Sequence, residues 1–278
     1  MNIKVKNKLL NFDTPLVMGI VNLTPDSFFS NSRVKNIDQA KKRIEEMFDL
    51  GADIIDIGAM STRPKAEIIS EQEEWDRLKD VLEVIVKYFP NKIFSIDTYR
   101  SEIVRRAVKD YGVSIVNDIS GGEYDDKMFH IVADCNVPYV LMHINGSQQT
   151  MHDIVNYKYL VEDILLYFSQ KISKLKLIGI SDIIIDIGFG FSKTIDQNYT
   201  LLNELKKFEI LESPILAGLS RKTMIWKHLN ITPDEALNGT TVLNTIALNN
   251  GANILRVHDV KEAKQCVELF CKTKKQNF

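Results

Sequence analysis

Near the end of the chain Arg256 and His258 stand two residues apart, directly after Ile254 and Leu255. Side chains two apart on a strand share a face. A guanidinium beside an imidazole suits a phosphate or diphosphate held at the N-terminus of a following helix. Upstream, Asp97, Asn117, Asp186 and Lys222 form a second set, with donors and acceptors suited to a flat heterocycle bearing an amino-pyrimidinone edge. A carboxylate can accept two parallel N–H bonds from a ring nitrogen and its exocyclic amine, much as it accepts an arginine fork. Asn22, with Asp56 near it in this reading, offers hard oxygen to a Mg2+ ion shared with phosphate oxygens, few ligands sufficing because Mg2+ keeps its waters. His143 is read more simply, as a satisfied structural residue.

Each of these residues closes a short apolar, β-branched run. The runs are LVMGIVN (16–22), DIIDIG (53–58), IFSID (93–97), SIVND (114–118), PYVLMH (138–143), DIIIDIG (182–188), PILAGLS (214–220) and NILRVH (253–258). Continuous apolar runs of this length read as strands of a parallel sheet buried on both faces. Between them lie segments with helical spacing, such as ISEQEEWDRLKDVLEVIVKYF and RSEIVRRAVKDYG. Strand then helix, eight times over, predicts a (β/α)8 barrel in a single domain spanning 1–278, with an open doubly wound sheet as the runner-up. Residues 1–12 are expected to pair as two short strands closing the barrel bottom. A barrel of this kind keeps its chemistry at the C-terminal ends of its strands, so the polar residues that close the runs are expected to meet in one mouth. Burying them together is costly unless a polar ligand pairs with them.

Composition narrows the function classes. Of 278 residues, 35 are basic and 37 acidic, a formal charge of −2, which argues against broad attachment to nucleic acid or anionic lipid and makes any anion site local. Cys135, Cys266 and Cys271 match no metal-ligand spacing and read as reduced thiols of a cytoplasmic protein. The opening MNIKVKNKLLNF carries no secretory pattern, and no run approaches the roughly 18 apolar residues of a membrane span. Two segments, 24–36 and 59–70, exceed the usual connection length in α/β units and read as lids over the mouth.

The stretches MGIVNLTPDSF (18–28), STRP (61–64), SIDT (95–98), VNDISGG (116–122), LMH (141–143), DIGFGF (186–191), GLSRKTMI (218–225) and ILRVHDV (254–260) together resemble the dihydropteroate synthase family of pterin-binding enzymes. The resemblance runs from about residue 15 to 265. It implies a transferase that joins a dihydropterin hydroxymethyl diphosphate to 4-aminobenzoate, with Mg2+ present. By likeness of motif, the pterin would lie among Asp97, Asn117, Asp186 and Lys222, its faces lined by Met142, Phe191 and Gly218. Asn22 would bind Mg2+ and diphosphate, and Thr62, Arg256 and His258 would bind diphosphate. Phe28, Arg63 and Pro64 would close over the aminobenzoate, with Thr223 facing its carboxylate. Catalysis would fall to Asn22, Lys222, Arg256 and His258. The likeness also implies a homodimer, and sulfonamides as competitors for the aminobenzoate site.

The chain departs from the family pattern at Phe29-Ser30-Asn31-Ser32, where the family has Asp-Gly-Gly, at Ala59-Met60 before STRP, and at Ile187 after Asp186. Two rival readings stand beside it. Lys222 could form a Schiff base in an aldolase-type barrel, a role that two neighbouring carboxylates oppose by keeping the amine charged. Alternatively the barrel could be a non-catalytic pterin-binding module, against which the STRP, SRK and RVH motifs speak because such a module needs no diphosphate site.

Overall fold

The computed structural model describes residues 1–6, 8–23, 33–60, 68–146, 150 and 156–274, the side chains of 33–36 apart. Of the residues assigned above, Phe28, Thr62, Arg63 and Pro64 lie outside the described residues.

Eight parallel strands form a closed barrel: β3 (Leu16–Asn22), β4 (Ile54–Gly58), β5 (Ile93–Asp97), β6 (Ile115–Asp118), β7 (Tyr139–Met142), β8 (Ile183–Asp186), β9 (Ile215–Ala217) and β10 (Ile254–Val257), with β10 pairing back onto β3. Helices alternate with them: α1 (Arg33–Asp49), α2 (Glu71–Tyr88), α3 (Ser101–Lys109), α4 (Met128–Cys135), α5 (Leu160–Leu177), α6 (Ile195–Asn203), α7 (Thr223–Leu229), α8 (Leu237–Asn249) and α9 (Val260–Lys274). The chain is thus a single-domain α/β barrel of the expected class. An N-terminal antiparallel pair, β1 (Asn2–Val5) and β2 (Lys8–Asn11), places Ile3 and Val5 against the barrel floor.

Alternation along each strand explains both the core and the mouth. Outward residues such as Val17, Ile55, Phe94, Leu141, Ile185 and Leu255 pack under the helices in one apolar shell. Inward residues Met18, Ile54, Ile115, Val140, Ile184, Leu216 and Ile254 fill the floor with Phe12 and Leu16. Full burial of each such side chain stabilises the fold by about 2 kcal/mol. Side chains repeat on a face every two residues, so the next inward position reads Ile20 on β3 and Asp56, Ser95, Asn117, Met142, Asp186, Gly218 and Arg256 on the other strands. One step along the strands therefore carries the barrel from an apolar floor to a polar mouth.

Local signals set the helix starts that frame this mouth. Ser70 caps α2 by accepting from the Glu73 N–H at 3.1 Å, and acidic Glu71, Glu73 and Glu74 follow in the first turn, where the helix dipole favours them. Thr194 and Gln197 form a reciprocal capping box on α6, which fixes where the loop after β8 must end.

Candidate active site

Arg256 is the hub of one side of the mouth. Its Nε donates to Asp56 Oδ2 at 2.7 Å and its Nη2 to Asp97 Oδ2 at 2.6 Å. Asn117 Nδ2 donates to the same Asp56 oxygen at 2.8 Å. Asp56 is fully buried, and its second oxygen has no partner among the described residues. Register places Asp56 opposite Ile20 and Gly58 opposite Asn22. Asp56 thus lies a full inward step below the tip of β3. The sequence reading set it beside Asn22 as a second oxygen for a metal, but its engaged oxygen already serves a guanidinium and a carboxamide. Asn22 alone of the two stands at the rim.

Arg256 differs from its sequence reading in a related way. β10 ends at Val257, so His258 lies past the strand, while the guanidinium one step lower turns into the barrel toward two carboxylates. Among the described residues its Nη1 donates to no group, which leaves that nitrogen for a rim anion. Burial pushes Asp97 up to about 7 even though Arg256 pulls it down, with Asp56 as a further upward influence. Arg256 is itself raised by the carboxylates against the opposing cost of burial.

His258 is tied to Ser220. Ser220 Oγ accepts from the His258 backbone N–H at 3.2 Å and lies 2.9 Å from His258 Nδ1. The hydroxyl can donate to Nδ1 or accept a second hydrogen bond from it; when it donates, the imidazole proton sits on Nε2. Burial and the adjacent Arg256 push His258 down to about 4, so at neutral pH it presents a neutral N–H donor instead of a second cation. Arg221, the middle of the SRK motif, turns away from the mouth. It adopts a left-handed φ of 54° and grips Asp259 at 2.9 and 3.0 Å together with the carbonyls of Pro233 and Asp234.

The opposite side is built from the loop after β8. Asp186 Oδ1 accepts from the Gly188 N–H at 2.8 Å, and burial raises its carboxyl while Lys222 and Arg256 pull it down. Lys222 Nζ donates to the Phe189 carbonyl and sits 4.6 Å from the centre of the Phe191 ring. Burial lowers Lys222 to about 8, with Asp186 opposing. The two carboxylates thus do not hold the amine at its ordinary value as the sequence reading expected, although it is still an ammonium at pH 7. Gly190, at φ 82°, lets the loop pass Lys222, whose Cδ would lie 3.1 Å from an added Cβ. Met142 is buried with Tyr99, Ile119 and Ile144, and Phe191 packs on this cluster. Gly218 adds no side chain where Lys222 Nζ would stand 3.9 Å from a Cβ. Thr223, exposed, opens α7 immediately after Lys222.

Charge from both sides meets in the same space: Lys222 feels Asp186, Arg256 and Asp97, and Asp186 feels Lys222 and Arg256. Sequence reading passed over Lys193. That residue is buried and contacts His143, whose structural role it explains, with Nζ 3.0 Å from Nδ1. A charged residue two positions after the glycine-rich DIGFGF loop was the available signal, hidden because it falls between the strand tip and the next helix.

A barrel that gathers these hydrogen-bonding groups around one mouth has the form of a pterin-binding enzyme. The family model described as pterin binding enzyme matches residues 18–258, and the chain belongs to that family. Within it the chain falls among the dihydropteroate synthases, the transferases of folate biosynthesis. It is 39% identical over 270 residues to the dihydropteroate synthase of Clostridium beijerinckii, covering 96% of this chain and 97% of that one. With the Bacillus subtilis dihydropteroate synthase it shares 41% over 257 residues, 92% of this chain and 87% of the relative. The Yersinia pestis dihydropteroate synthase, solved with a sulfonamide drug, superposes with a TM-score of 0.92 at 35% identity over 99% of this chain and all of that one. The Xanthomonas albilineans enzyme, solved with 4-aminobenzoic acid, gives 0.89 at 33% identity over 98% of each chain.

Proposed function

We propose that the mouth binds a dihydropterin hydroxymethyl diphosphate with its ring among Asp97, Asn117, Asp186 and Lys222 and its diphosphate toward Asn22, Arg256 and His258, and transfers the pterin methylene to 4-aminobenzoate. The observation that supports this reading is that Lys222 feels the charges of Asp186, Arg256 and Asp97, and that Arg256 is hydrogen-bonded to Asp97. Asp186 accepts ring N–H groups while Lys222 donates to a ring acceptor. Met142, Phe191 and Gly218 line the ring faces. Thr223 faces the aminobenzoate carboxylate, and Phe28, Thr62, Arg63 and Pro64 act from the two long loops. The chain works as one pterin-binding domain, with residues 1–12 stopping the barrel floor.

In the reaction the bond between the methylene carbon and the diphosphate oxygen breaks, and its electron pair leaves with the diphosphate. The aryl amine nitrogen then bonds to the carbon and sheds a proton. Developing negative charge on the leaving group meets the guanidinium of Arg256 and the imidazole of His258, donors positioned before reaction begins. The aryl amine is neutral and nucleophilic at pH 7, so positioning and exclusion of water are the protein's main tasks. Although Ser220 and His258 are hydrogen-bonded, Asp259 is held by Arg221, so among the described residues they form no Ser-His-Asp relay.

Among the described residues no group of three or more His, Cys, Asp or Glu could hold a metal. Asn22 would hold a Mg2+ ion through its carboxamide, with substrate oxygens and water as the remaining ligands, because this ion favours few protein ligands. When bound, Mg2+ supplies positive charge to the leaving diphosphate. The chain works in the cytoplasm as a homodimer, and sulfonamides compete with 4-aminobenzoate. No helix among the described residues is long and apolar enough to cross a membrane. A coupled diphosphate-release assay tests the proposal: release is expected only when both the pterin diphosphate and 4-aminobenzoate are present. Equal release without the amine would mark a hydrolase and overturn it.

A further inference from the structure

Lys193 has no part in the chemistry above, yet its surroundings are unusually specific. Its Nζ donates to the Gly188 carbonyl at 3.1 Å and the Phe191 carbonyl at 3.0 Å, and lies 3.0 Å from His143 Nδ1. Burial lowers Lys193 to about 7 against the opposing pull of Asp186, so the amine is charged below that value. As an ammonium its three N–H bonds match these three acceptors, and the ring nitrogen that faces it is then bare, with the His143 proton on Nε2. His143 is only 2% exposed and packs edge-on against Tyr167, ring centres 4.8 Å apart. Its backbone N–H donates to the Asp186 carbonyl at 2.9 Å.

The loop from Gly188 to Phe191 thus divides its carbonyls between two lysines. Those of Gly188 and Phe191 point to Lys193; that of Phe189 points to Lys222. Gly188 has φ 71°, and a Cβ there would collide with the His143 carbonyl, so the loop and the His143 strand end approach as closely as backbone allows. Asn198 ties the same loop from outside by accepting from the Gly190 N–H at 2.7 Å.

We propose that Lys193 is a positioning residue of the pterin site: by drawing the Gly188 and Phe191 carbonyls onto its ammonium against His143, it sets the loop so that the Phe189 carbonyl and the Phe191 ring hold Lys222 toward Asp186. This rests on the pterin site assigned above. Asp186 lies close enough to act on Lys193 as well, so the buried ammonium also balances the carboxylate that recognises the ring.

The test uses two ligands on the whole protein, 6-hydroxymethylpterin and inorganic diphosphate, titrated by fluorescence and calorimetry against wild type, Lys193→Met and Lys193→Arg. Lys193→Met is expected to raise the pterin Kd by about tenfold, the scale of losing hydrogen bonds to a charged group, with the diphosphate Kd unchanged. Lys193→Arg should restore part of the loss. Wild-type pterin affinity in Lys193→Met, or equal weakening of both ligands, overturns the proposal. If wild type itself binds no pterin, the functional reading falls and takes this one with it, an outcome distinct from the first two. Should Lys193→Met fail to fold, 15N spectra of His143 in the wild type decide: a neutral ring protonated on Nε2 is expected, and a proton on Nδ1 or an imidazolium is fatal to the clamp.

Discussion

The two sides of the mouth solve opposite charge problems. On the β4–β5–β10 side two carboxylates, Asp56 and Asp97, share one cation, Arg256. On the β8–β9 side two lysines, Lys222 and Lys193, lowered by burial to about 8 and about 7, share one carboxylate, Asp186, and backbone carbonyls of the intervening loop take up their remaining donors. The first side is an ion cluster on rigid strands, with Asp56 wholly out of solvent. The second is a folded loop whose shape depends on which carbonyl each lysine draws. The difference teaches that the floor-side cluster carries stability as well as binding, whereas the loop side is adjusted toward recognition.

That contrast predicts its largest effect at Arg256. Arg256→Ala strands Asp56 and Asp97 without a cation, and breaking a buried pair from one side costs about 3–5 kcal/mol. Urea unfolding should show a loss on that scale, mostly recovered in the Asp56→Asn, Arg256→Met double variant. Lys222→Met should lose clearly less, because Asp186 keeps Lys193 and the Gly188 N–H. Equal losses for Arg256→Ala and Lys222→Met would erase the distinction between the sides.

How much of this was legible beforehand follows from the same geometry. Period-two alternation and eight apolar runs specify the barrel, and the residue closing each run falls at the mouth because strand ends do so in this architecture. What the sequence could not tell is which polar groups neutralise each other. Arg256 and His258 are two apart, which suggested a shared anion, but the strand stops between them and the guanidinium reaches Asp56, 200 residues away in sequence. Lys193 was passed over for a similar reason. Its partners, His143 and the Gly188 and Phe191 carbonyls, are set by loop shape, and backbone carbonyls leave no trace in residue type.

A sharper comparison comes from the two carboxylates Asp186 and Asp97. Asp186→Asn removes the carboxylate that acts on both Lys222 and Lys193 and one acceptor for the ring N–H pair, so the pterin Kd should rise about ten- to hundredfold. Asp97→Asn should cost less, since Arg256 keeps Asp56 as its counter-charge. Isothermal titration with 6-hydroxymethylpterin ranks the two directly, and the reverse order would move ring recognition to the Arg256 side.

The smallest effect is the dependence of that binding on pH. Burial lifts Asp97 to about 7 and lowers Lys222 to about 8. Asp97 is a carboxylate acceptor only above its value, and Lys222 is a charged donor only below its own. Pterin affinity should therefore rise as Asp97 ionises through about 7 and fall as Lys193, lowered by burial to about 7, and Lys222 lose their protons, a narrow bell whose acid limb belongs to Asp97 and whose alkaline limb belongs to the two lysines. Asp97→Asn should flatten the acid limb and leave the alkaline one, and Lys222→Met should weaken the alkaline limb and leave the acid one. His258, held near 4, stays neutral across this window, so diphosphate binding should show neither limb from it. An affinity constant from pH 6 to 9 would place both titrations outside the ring site and leave Arg256 and Asp186 as the groups that set its charge.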